Sequence, residues 1–231
     1  SIGVPLFEAY GMTENCAYAT SNSPENIKIG TVGIPAHGVE LKLADDGEIL
    51  IRSGGVFKGY FKDDQATSET IDKDGWLYTG DVGIYEGDFV KIIDRKRDII
   101  ITSGGKNVSP SEIENKIKVS PFIKEAIVIG DRRKFLSVLI GIEFDTVSNW
   151  ALRKNIPHTT YRDLSEKQEV KDLVWKEITK ANEMTSSLEV REFRMIPKEL
   201  DHEEGELTAT QKVKRNVLID QFSELIEEMY S

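Results

Sequence analysis

The chain has few of the residues that build disulfides and metal sites. Its 231 residues include one cysteine, Cys16, and three histidines. A single cysteine excludes an internal disulfide, and we expect Cys16 to be a small buried side chain in a protein of the reducing cytoplasm. The histidines lack the spacing of a metal site and are interpreted as ordinary surface or core residues: His37, His158 and His202.

The chain also lacks long apolar runs and a positive charge balance. No run approaches the roughly 20 apolar residues of a membrane helix, so we predict no transmembrane segment. With 30 Lys and Arg against 40 Asp and Glu, the net charge is -10, which argues against a nucleic-acid partner. Anionic small ligands stay open, because basic residues cluster locally at 91–106 and 212–215.

Residues 1–94 have the pattern of short strands separated by turns. Val39–Leu43 and Glu48–Ile51 flank the turn Asp45-Asp46-Gly47, which is typical of a hairpin. Residues 76–78 and 89–93 flank a second turn at Glu86-Gly87-Asp88. Such short strands predict a small β-barrel-like part.

After Asp94 the pattern becomes mixed, and the fold class that we predict for the whole chain is mixed α/β. Ser109 and Pro110 begin a predicted helix that extends to about Val119. Antiparallel strands are predicted at 123–130 and 135–143, and further helices at 146–154, 165–183 and 213–229. A capping box of Ser165 and Gln168 is expected to open the second of these helices. The sum is a compact α+β domain.

Three polar segments follow one another between Tyr78 and Lys106. They are the acidic turn Tyr78-Thr79-Gly80-Asp81, the basic cluster at 94–98 and the glycine turn Ser103-Gly104-Gly105-Lys106. A carboxylate can accept hydrogen bonds from the two vicinal hydroxyls of a ribose, and arginine offers a charged fork to ribose or phosphate oxygens. Glycines let backbone approach a bound chain closely. The order of these segments predicts a nucleotide site next to a hinge.

Three more segments make a resemblance specific. They are Tyr10-Gly11-Met12-Thr13-Glu14, Gly47-Glu48-Ile49-Leu50-Ile51 and the stretch Leu207-Thr208-Ala209-Thr210-Gln211-Lys212-Val213-Lys214-Arg215. The whole series resembles the second half of the adenylate-forming superfamily of acyl- and aryl-CoA synthetases, adenylation domains and luciferases. Residues 94–110 most resemble the long-chain fatty acyl-CoA synthetases. The resemblance covers nearly the whole chain.

The resemblance implies a domain organisation. Residues 1–94 would be the C-terminal end of a larger AMP-binding domain, and residues 95–231 a mobile lid, with a hinge at 94–98 and Arg97 as the hinge residue. The phosphate loop of the family lies upstream of Tyr10. We therefore expect this chain to be a C-terminal fragment that is inactive alone.

The resemblance also implies a nucleotide site for ATP or AMP. Tyr10 would stack on adenine, Asp81 and Arg95 would bind the ribose, and Thr13 would meet the α-phosphate. Glu14 would bind Mg²⁺, which prefers hard oxygen ligands and takes one or two carboxylates beside phosphates. Gly11 belongs to the same nucleotide-binding segment. Two neighbouring lysines, Lys91 and Lys96, are expected to be solvated.

In the lid, the resemblance implies two further sites. Gly104 and Gly105 would line the path of the pantetheine arm of CoA. Lys212 would be the catalytic residue of adenylation, assisted by Thr13 and Glu14 in the other domain. Many relatives have glycine immediately before this lysine, whereas this chain has Gln211, so Lys214 stays open as the alternative catalytic lysine.

The implied activity is that of an ATP-dependent long-chain fatty acid:CoA ligase. A fatty acid or other carboxylic acid would react with Mg-ATP to give acyl-AMP, and CoA would then take the acyl group. Two alternatives stay open: an adenylating enzyme that loads a carrier-protein phosphopantetheine, and a non-catalytic lid fragment used only for interaction. Peripheral membrane contact and oligomer formation are compatible with either enzyme. The acyl pocket would be built mostly upstream, so the sequence does not give the chain length.

Overall fold

The computed structural model describes residues 5–185, 189–208 and 210–231. The chain divides into two compact units, Ser1–Asp98 and Ile99–Ser231. Strands dominate the first unit, and helices pack on sheets in the second, so the predicted mixed α/β class is confirmed. The division falls at the end of the predicted hinge segment, although a hinge motion itself stays a prediction.

The first unit is built from two antiparallel sheets. A three-stranded sheet contains β1 (Ala9–Tyr10), β2 (Thr20–Ser21) and β3 (Ile34–Pro35). A four-stranded sheet contains β4 (Glu40–Leu43), β5 (Glu48–Arg52), β6 (Leu77–Glu86) and β7 (Phe89–Arg95). Helix α1 spans Asp64–Thr70 and begins after Asp63, whose carboxylate accepts from the Ala66 amide. The predicted hairpin at 39–51 and the predicted turn at 86–88 are therefore confirmed, whereas α1 was missed and β6 extends well beyond the predicted strand at 76–78.

The two sheets of the first unit share one core. Ile49, Ile51 and Val90 are fully buried there. The Val90 carbonyl in β7 accepts from the Val32 amide at 2.8 Å, and the Val90 amide donates to the Gly33 carbonyl at 2.8 Å. These bonds join β7 to the segment just before β3. The strands therefore curl around a common interior, as a barrel-like part requires.

The predicted acidic turn at 78–81 lies inside strand β6, so the prediction of a turn there was wrong. Glu48 pairs with Val82 and Leu50 pairs with Tyr78, so the stretch of β6 opposite them is longer than its partner. Gly80 has a φ of 70° in this bulge, a conformation that glycine adopts without a steric penalty. Bulges change the direction of a neighbouring side chain, here that of Asp81.

The second unit has a short hairpin and a mixed sheet of three strands. The hairpin pairs β8 (Ile100–Ile101) with β9 (Asn107–Val108). In the larger sheet β10 (Ile123–Ile129) runs antiparallel to β11 (Leu136–Ile142), and β12 (Val190–Met195) runs parallel to β11. The helices of this unit are α2 (Pro110–Ile117), α3 (Phe144–Arg153), α4 (Tyr161–Glu166), α5 (Gln168–Glu183), α6 (Arg215–Gln221) and α7 (Ser223–Glu228).

The larger sheet of the second unit is buried on both faces. Successive side chains of a strand point to opposite faces, and along β11 Val138 and Ile140 join the core under α2 and α5, whereas Leu139 joins the core under α6 and α7. All seven residues of β11 are buried. This explains why its sequence is a continuous apolar run rather than an alternating one. Within the described ranges, no helix has the length and apolar composition needed to cross a membrane.

Two helix predictions need correction. The Ser165 and Gln168 capping box was wrong, because Ser165 already lies inside α4 and its hydroxyl donates to the Arg162 carbonyl. Lys167, with extended backbone, separates α4 from α5. Thr160 caps α4 instead, accepting from the Asp163 amide at 3.1 Å.

The last predicted helix, at 213–229, is interrupted. Phe222 leaves helical geometry between α6 and α7. Its side chain is buried in the core beneath these helices, so the break turns an apolar residue inward.

The prediction that Cys16 is buried was wrong. Cys16 is exposed, and it has a φ of 55° in a tight turn.

Candidate nucleotide-binding site

Two side chains from other strands meet at the carboxylate of Asp81. The Tyr10 hydroxyl donates to Asp81 Oδ2 at 2.5 Å, and Arg95 Nε lies 2.8 Å from Asp81 Oδ1. Asp81 keeps only 8% of its side-chain surface exposed, whereas Arg95 keeps 55%. The structure therefore brings together the three residues predicted from the sequence to bind adenosine.

Strand pairing explains part of this arrangement. Asp81 in β6 and Arg95 in β7 are direct partners in the register, and cross-strand partners have neighbouring side chains. Tyr10 reaches the same carboxylate from β1 in the other sheet. A carboxylate has about four lone-pair positions, so two remain for a ligand such as a ribose diol.

The environment of Tyr10 keeps its hydroxyl protonated. Burial raises the pKa of Tyr10 above its ordinary value, and the hydrogen bond to Asp81 raises this pKa further. A protonated phenol can donate to the carboxylate at every pH where the protein would work. The ring edge is thus anchored, and the position of Asp81 is set from two sides.

The segment after Tyr10 is a tight turn. A Cβ on Gly11 would lie 2.3 Å from the Ala17 backbone, so glycine is required there by the close approach of the chain itself. Residues Thr13–Asn15 form one 3-10 turn, and the Asn15 side chain accepts from the Met12 amide at 2.9 Å. Thr13 is exposed on this turn, where its hydroxyl could meet a phosphate.

The carboxylate of Glu14 is suited to bind Mg²⁺ beside phosphates. Its Oε1 accepts a hydrogen bond from Tyr60 at 2.8 Å, which orients the carboxylate and leaves Oε2 for a metal ion. This hydrogen bond raises the pKa of Tyr60 above its ordinary value. Among the described residues there is no group of three or more His, Cys, Asp or Glu that could hold a metal ion. A single carboxylate is nevertheless what Mg²⁺ needs when phosphates supply the other ligands.

The sequence predicted that Lys96 is solvated, but in the structure it is paired with two carboxylates. Its ammonium lies 2.6 Å from Asp46 Oδ2 and 2.7 Å from Glu48 Oε2. The hydrogen bonds to Asp46 and then to Glu48 raise the pKa of Lys96 above its ordinary value. Lys91 is also paired, with Glu86 at 3.2 Å. Sequence reasoning missed the Lys96 contacts because Glu48 is 48 residues away along the chain.

The Gly104-Gly105 turn in the second unit connects β8 to β9. The Thr102 amide donates to the Lys106 carbonyl at 3.1 Å, and the Gly105 amide donates to the Thr102 carbonyl at 2.8 Å. Gly105 has a φ of 73°, which favours glycine. Gly104 does not have positive φ, and a Cβ there would meet only the Thr102 hydroxyl, at 4.0 Å. The described part of the protein therefore gives no steric reason for glycine at 104.

Lys212 lies on a separate loop that is closed by backbone hydrogen bonds. The Thr208 amide donates to the Lys212 carbonyl at 2.8 Å, and the Lys212 amide donates to the Thr208 hydroxyl at 3.0 Å. The side chain of Lys212 is exposed. Lys214 differs in position, because it is the N-cap residue of α6 and its amide donates to the Glu206 carbonyl at 2.8 Å.

The backbone at Gln211, immediately before Lys212, has a conformation that favours glycine. Its φ is 60°, and residues that carry a Cβ adopt such a conformation at an energetic cost. Gln211 therefore has a backbone conformation that glycine adopts freely, as expected if it stands in place of the glycine that the resemblance implies before the lysine. This supports the predicted register of Lys212 over Lys214, and the catalytic role itself stays a prediction. Ala209, also in this loop, lies outside the described residues.

The comparison with protein families agrees with this geometry. The model of the AMP-binding enzyme C-terminal domain matches residues 97–231, which is more than half of the chain, and the model of the AMP-binding enzyme matches residues 1–61. The chain belongs to the AMP-binding enzyme family. The first match begins at Arg97, inside the predicted hinge.

Among curated members of the AMP-binding enzyme family, similar relatives are fatty acid–CoA ligases. A long-chain fatty acid–CoA ligase FadD15 of Mycobacterium tuberculosis is 38% identical over 99% of this chain and 38% of that protein. Human long-chain fatty acid–CoA ligase 6 is 34% identical over 100% of this chain and 35% of that protein. The chain thus spans less than half the length of these relatives.

Two solved structures share the fold. The adenylation domain of the Segniliparus rugosus carboxylic acid reductase, in complex with AMP and a co-purified carboxylic acid, gives a TM-score of 0.76 at 21% identity, over 98% of this chain and 35% of that one. O-succinylbenzoate CoA synthetase of Bacillus subtilis, in complex with ATP and magnesium, gives 0.65 at 27% identity, over 93% of this chain and 41% of that one.

Proposed function

We propose that this chain is the C-terminal part of an ATP-dependent long-chain fatty acid–CoA ligase. The observation that carries the proposal is the buried Asp81 carboxylate held between the Tyr10 hydroxyl and Arg95. Such a carboxylate suits the ribose of a nucleotide, and relatives named as long-chain fatty acid–CoA ligases match over the whole chain. The substrates would be a fatty acid, ATP and CoA.

In the first half reaction, a carboxylate oxygen of the fatty acid attacks the α-phosphorus of ATP, and pyrophosphate leaves. Asp81 and Arg95 would hold the ribose while the Tyr10 ring packs on adenine. Lys212 would place its ammonium between the two anionic reactants, where it stabilises the charge of the transition state. Its exposed position on a loop closed by backbone hydrogen bonds suits a side chain that enters a site from outside.

Thr13 and Glu14 would act on the phosphates. The Thr13 hydroxyl would donate to the α-phosphate, and Glu14, oriented by Tyr60, would hold Mg²⁺ through its second oxygen. The bound Mg²⁺ would neutralise charge on the phosphates and favour departure of pyrophosphate. Tyr60 thereby becomes part of the proposed site, although sequence reasoning gave it no role.

In the second half reaction, the CoA thiol loses its proton to solvent, the resulting thiolate attacks the acyl carbonyl, and AMP leaves. Gly104 and Gly105 would let the pantetheine arm pass close to the backbone. The absence of a steric reason for glycine at 104 within the described structure supports this role. Because Lys212 and the glycines lie on different loops, we propose that the lid turns at 94–98 to use them alternately.

The test uses a full-length enzyme that carries this sequence. Exchange of pyrophosphate into ATP should require a long-chain fatty acid, and addition of CoA should release acyl-CoA. An Asp81→Ala variant should raise the KM for ATP. Acid-dependent exchange without acyl-CoA formation, combined with acylation of a phosphopantetheinyl carrier protein, would favour a carrier-loading enzyme. No acid-dependent exchange at all would reject the proposal.

We also propose that the enzyme works in the cytoplasm with peripheral access to membranes. The single cysteine is compatible with a reducing compartment, and long-chain fatty acids partition into membranes. Fractionation of cells that express the full-length enzyme tests this point. Recovery in an oxidising compartment would contradict it.

A further inference from the structure

Lys96 joins the predicted hinge to the interior of the first unit. It lies between Arg95, which contacts the candidate ribose carboxylate, and Arg97, which is largely exposed. Its ammonium contacts two carboxylates, that of Asp46, which is half exposed, and that of Glu48, which keeps 6% of its side-chain surface exposed. The contact with Glu48 is the important one, because a buried carboxylate needs a partner of opposite charge.

Glu48 passes this contact on to the ribose site. While Oε2 binds Lys96 at 2.7 Å, Oε1 accepts from the Gly80 amide at 2.9 Å. Gly80 is the bulged residue with positive φ that immediately precedes Asp81. A continuous series of contacts therefore leads from Lys96 through Glu48 to the backbone that aims Asp81.

We propose that Lys96 is a positioning residue for nucleotide binding, which holds Glu48 on the Gly80 amide and thereby sets Asp81 against the ribose hydroxyls. The inference rests on the proposed function, since it takes Asp81 as the ribose ligand. Without the ammonium, Glu48 would keep a buried charge that the Gly80 amide alone does not compensate. Glu48 would then turn toward water, and the bulge would lose its fixed shape.

The same contacts locate the fixed side of the hinge. Residues up to Lys96 are tied to the first unit through Asp81, Asp46 and Glu48. Among the described residues, Arg97 forms an ion pair only with its neighbour Asp98, at 3.9 Å. A rotation at 94–98 would therefore begin after Lys96, so that the ribose contacts stay in place while the lid turns.

The decisive experiment compares ATP with 2′,3′-dideoxy-ATP in the full-length enzyme. The wild type should prefer ATP, because only ATP offers a diol to Asp81. Lys96→Met should raise the KM for ATP about tenfold, the scale of one charge-assisted hydrogen bond, and leave the KM for the dideoxy analogue nearly unchanged. Saturated adenylation rates should change little. Lys96→Arg keeps the charge and should restore most of the preference.

Lys91→Met is the matched control. Lys91 lies in β7, which leads into Lys96, and pairs with Glu86, which is more exposed than Glu48, so its loss should leave the ATP preference intact. If Lys96→Met fails to fold, Glu48→Met gives the same test, since a methionine side chain can bind neither the ammonium nor the Gly80 amide; the preference should fall. Wild-type preference for ATP that survives in folded Lys96→Met or Glu48→Met would overturn the inference. A wild type without the preference would instead overturn the ribose role of Asp81.

Discussion

The two units present their candidate functional groups in opposite ways. In Ser1–Asp98, the carboxylate of Asp81, the candidate ribose ligand, is buried and already bound by Tyr10 and Arg95. In Ile99–Ser231, Lys212 is exposed on a loop whose hydrogen bonds involve its backbone. The first arrangement is organised before any ligand arrives, which reduces the ordering cost of binding. The second leaves the exposed Lys212 side chain without fixed contacts to the described residues, as the proposed role of a group that acts in one step would require.

This difference suggests a division of labour. A group that binds the nucleotide through both half reactions benefits from fixed contacts. Groups that act in only one half reaction must be able to leave, and an exposed loop or glycine turn allows that. Variants of the two units should therefore affect stability and single reaction steps differently.

The largest expected effect comes from restricting the segment between the units. Arg97→Pro would hold φ near about -65° and remove a backbone donor. In the full-length enzyme we expect acyl-AMP formation to survive and CoA transfer to be lost, since only a turned lid would bring Gly104 and Gly105 into use. A melting curve separates this result from unfolding, which would abolish both steps. Normal CoA transfer by a folded Arg97→Pro enzyme would place the hinge elsewhere.

The next effect tests the exposed lysine. Lys212→Ala should slow adenylation by about 10²-fold or more, the scale of losing one preorganised electrostatic group. Thioester formation from supplied acyl-AMP should largely survive. The melting temperature should stay unchanged, because the exposed ammonium makes no ion pair within the described ranges. Lys214→Ala is the control, and a selective adenylation defect there would show that the register is wrong.

The sequence predicted those elements whose signals are local. Apolar runs around Asp131 identified β10 and β11, and Ser109 with Pro110 marked the start of α2, where the Ser109 hydroxyl accepts from the Glu112 amide. The Ser165 signal was equally local and yet wrong, because extended backbone at Lys167 separated the two helices. A capping pattern predicts a helix start only when the preceding residues are not already helical.

The sequence predicted the residues of the candidate site but not the contacts that hold them in place. Tyr10, Asp81 and Arg95 followed from motifs that resemble a known family. The contacts of Lys96 with Glu48 and of Glu14 with Tyr60 join residues 48 and 46 positions apart, and no local pattern announces them. The bulge at Gly80 also depends on its pairing with β5, which a single strand does not reveal.

A third prediction tests the preformed side of the comparison. Asp81→Asn keeps an acceptor for Tyr10 but removes the charge that pairs with Arg95. We expect the free energy of unfolding of the first unit to fall by about 1 kcal/mol, a value reduced because Arg95 is half exposed. Thermal or denaturant unfolding of the 231-residue chain measures this. Glu40→Gln, which removes an exposed partner of Arg52, should have a smaller effect, and equal effects would contradict the preformed site.

The smallest expected effect concerns the shape of the lysine loop. Gln211 has a φ of 60°, so Gln211→Gly should be more stable than Gln211→Ala by about 1 kcal/mol, the cost of a Cβ in left-handed backbone. At an ordinary negative φ the order would be reversed, since glycine loses more backbone entropy on folding. Denaturant unfolding of both variants decides the sign. In the full-length enzyme, the glycine variant should adenylate at the normal rate, because the loop that carries Lys212 keeps its shape. A more stable alanine variant would show that Gln211 does not hold this conformation, and the structural argument for Lys212 over Lys214 would then fail.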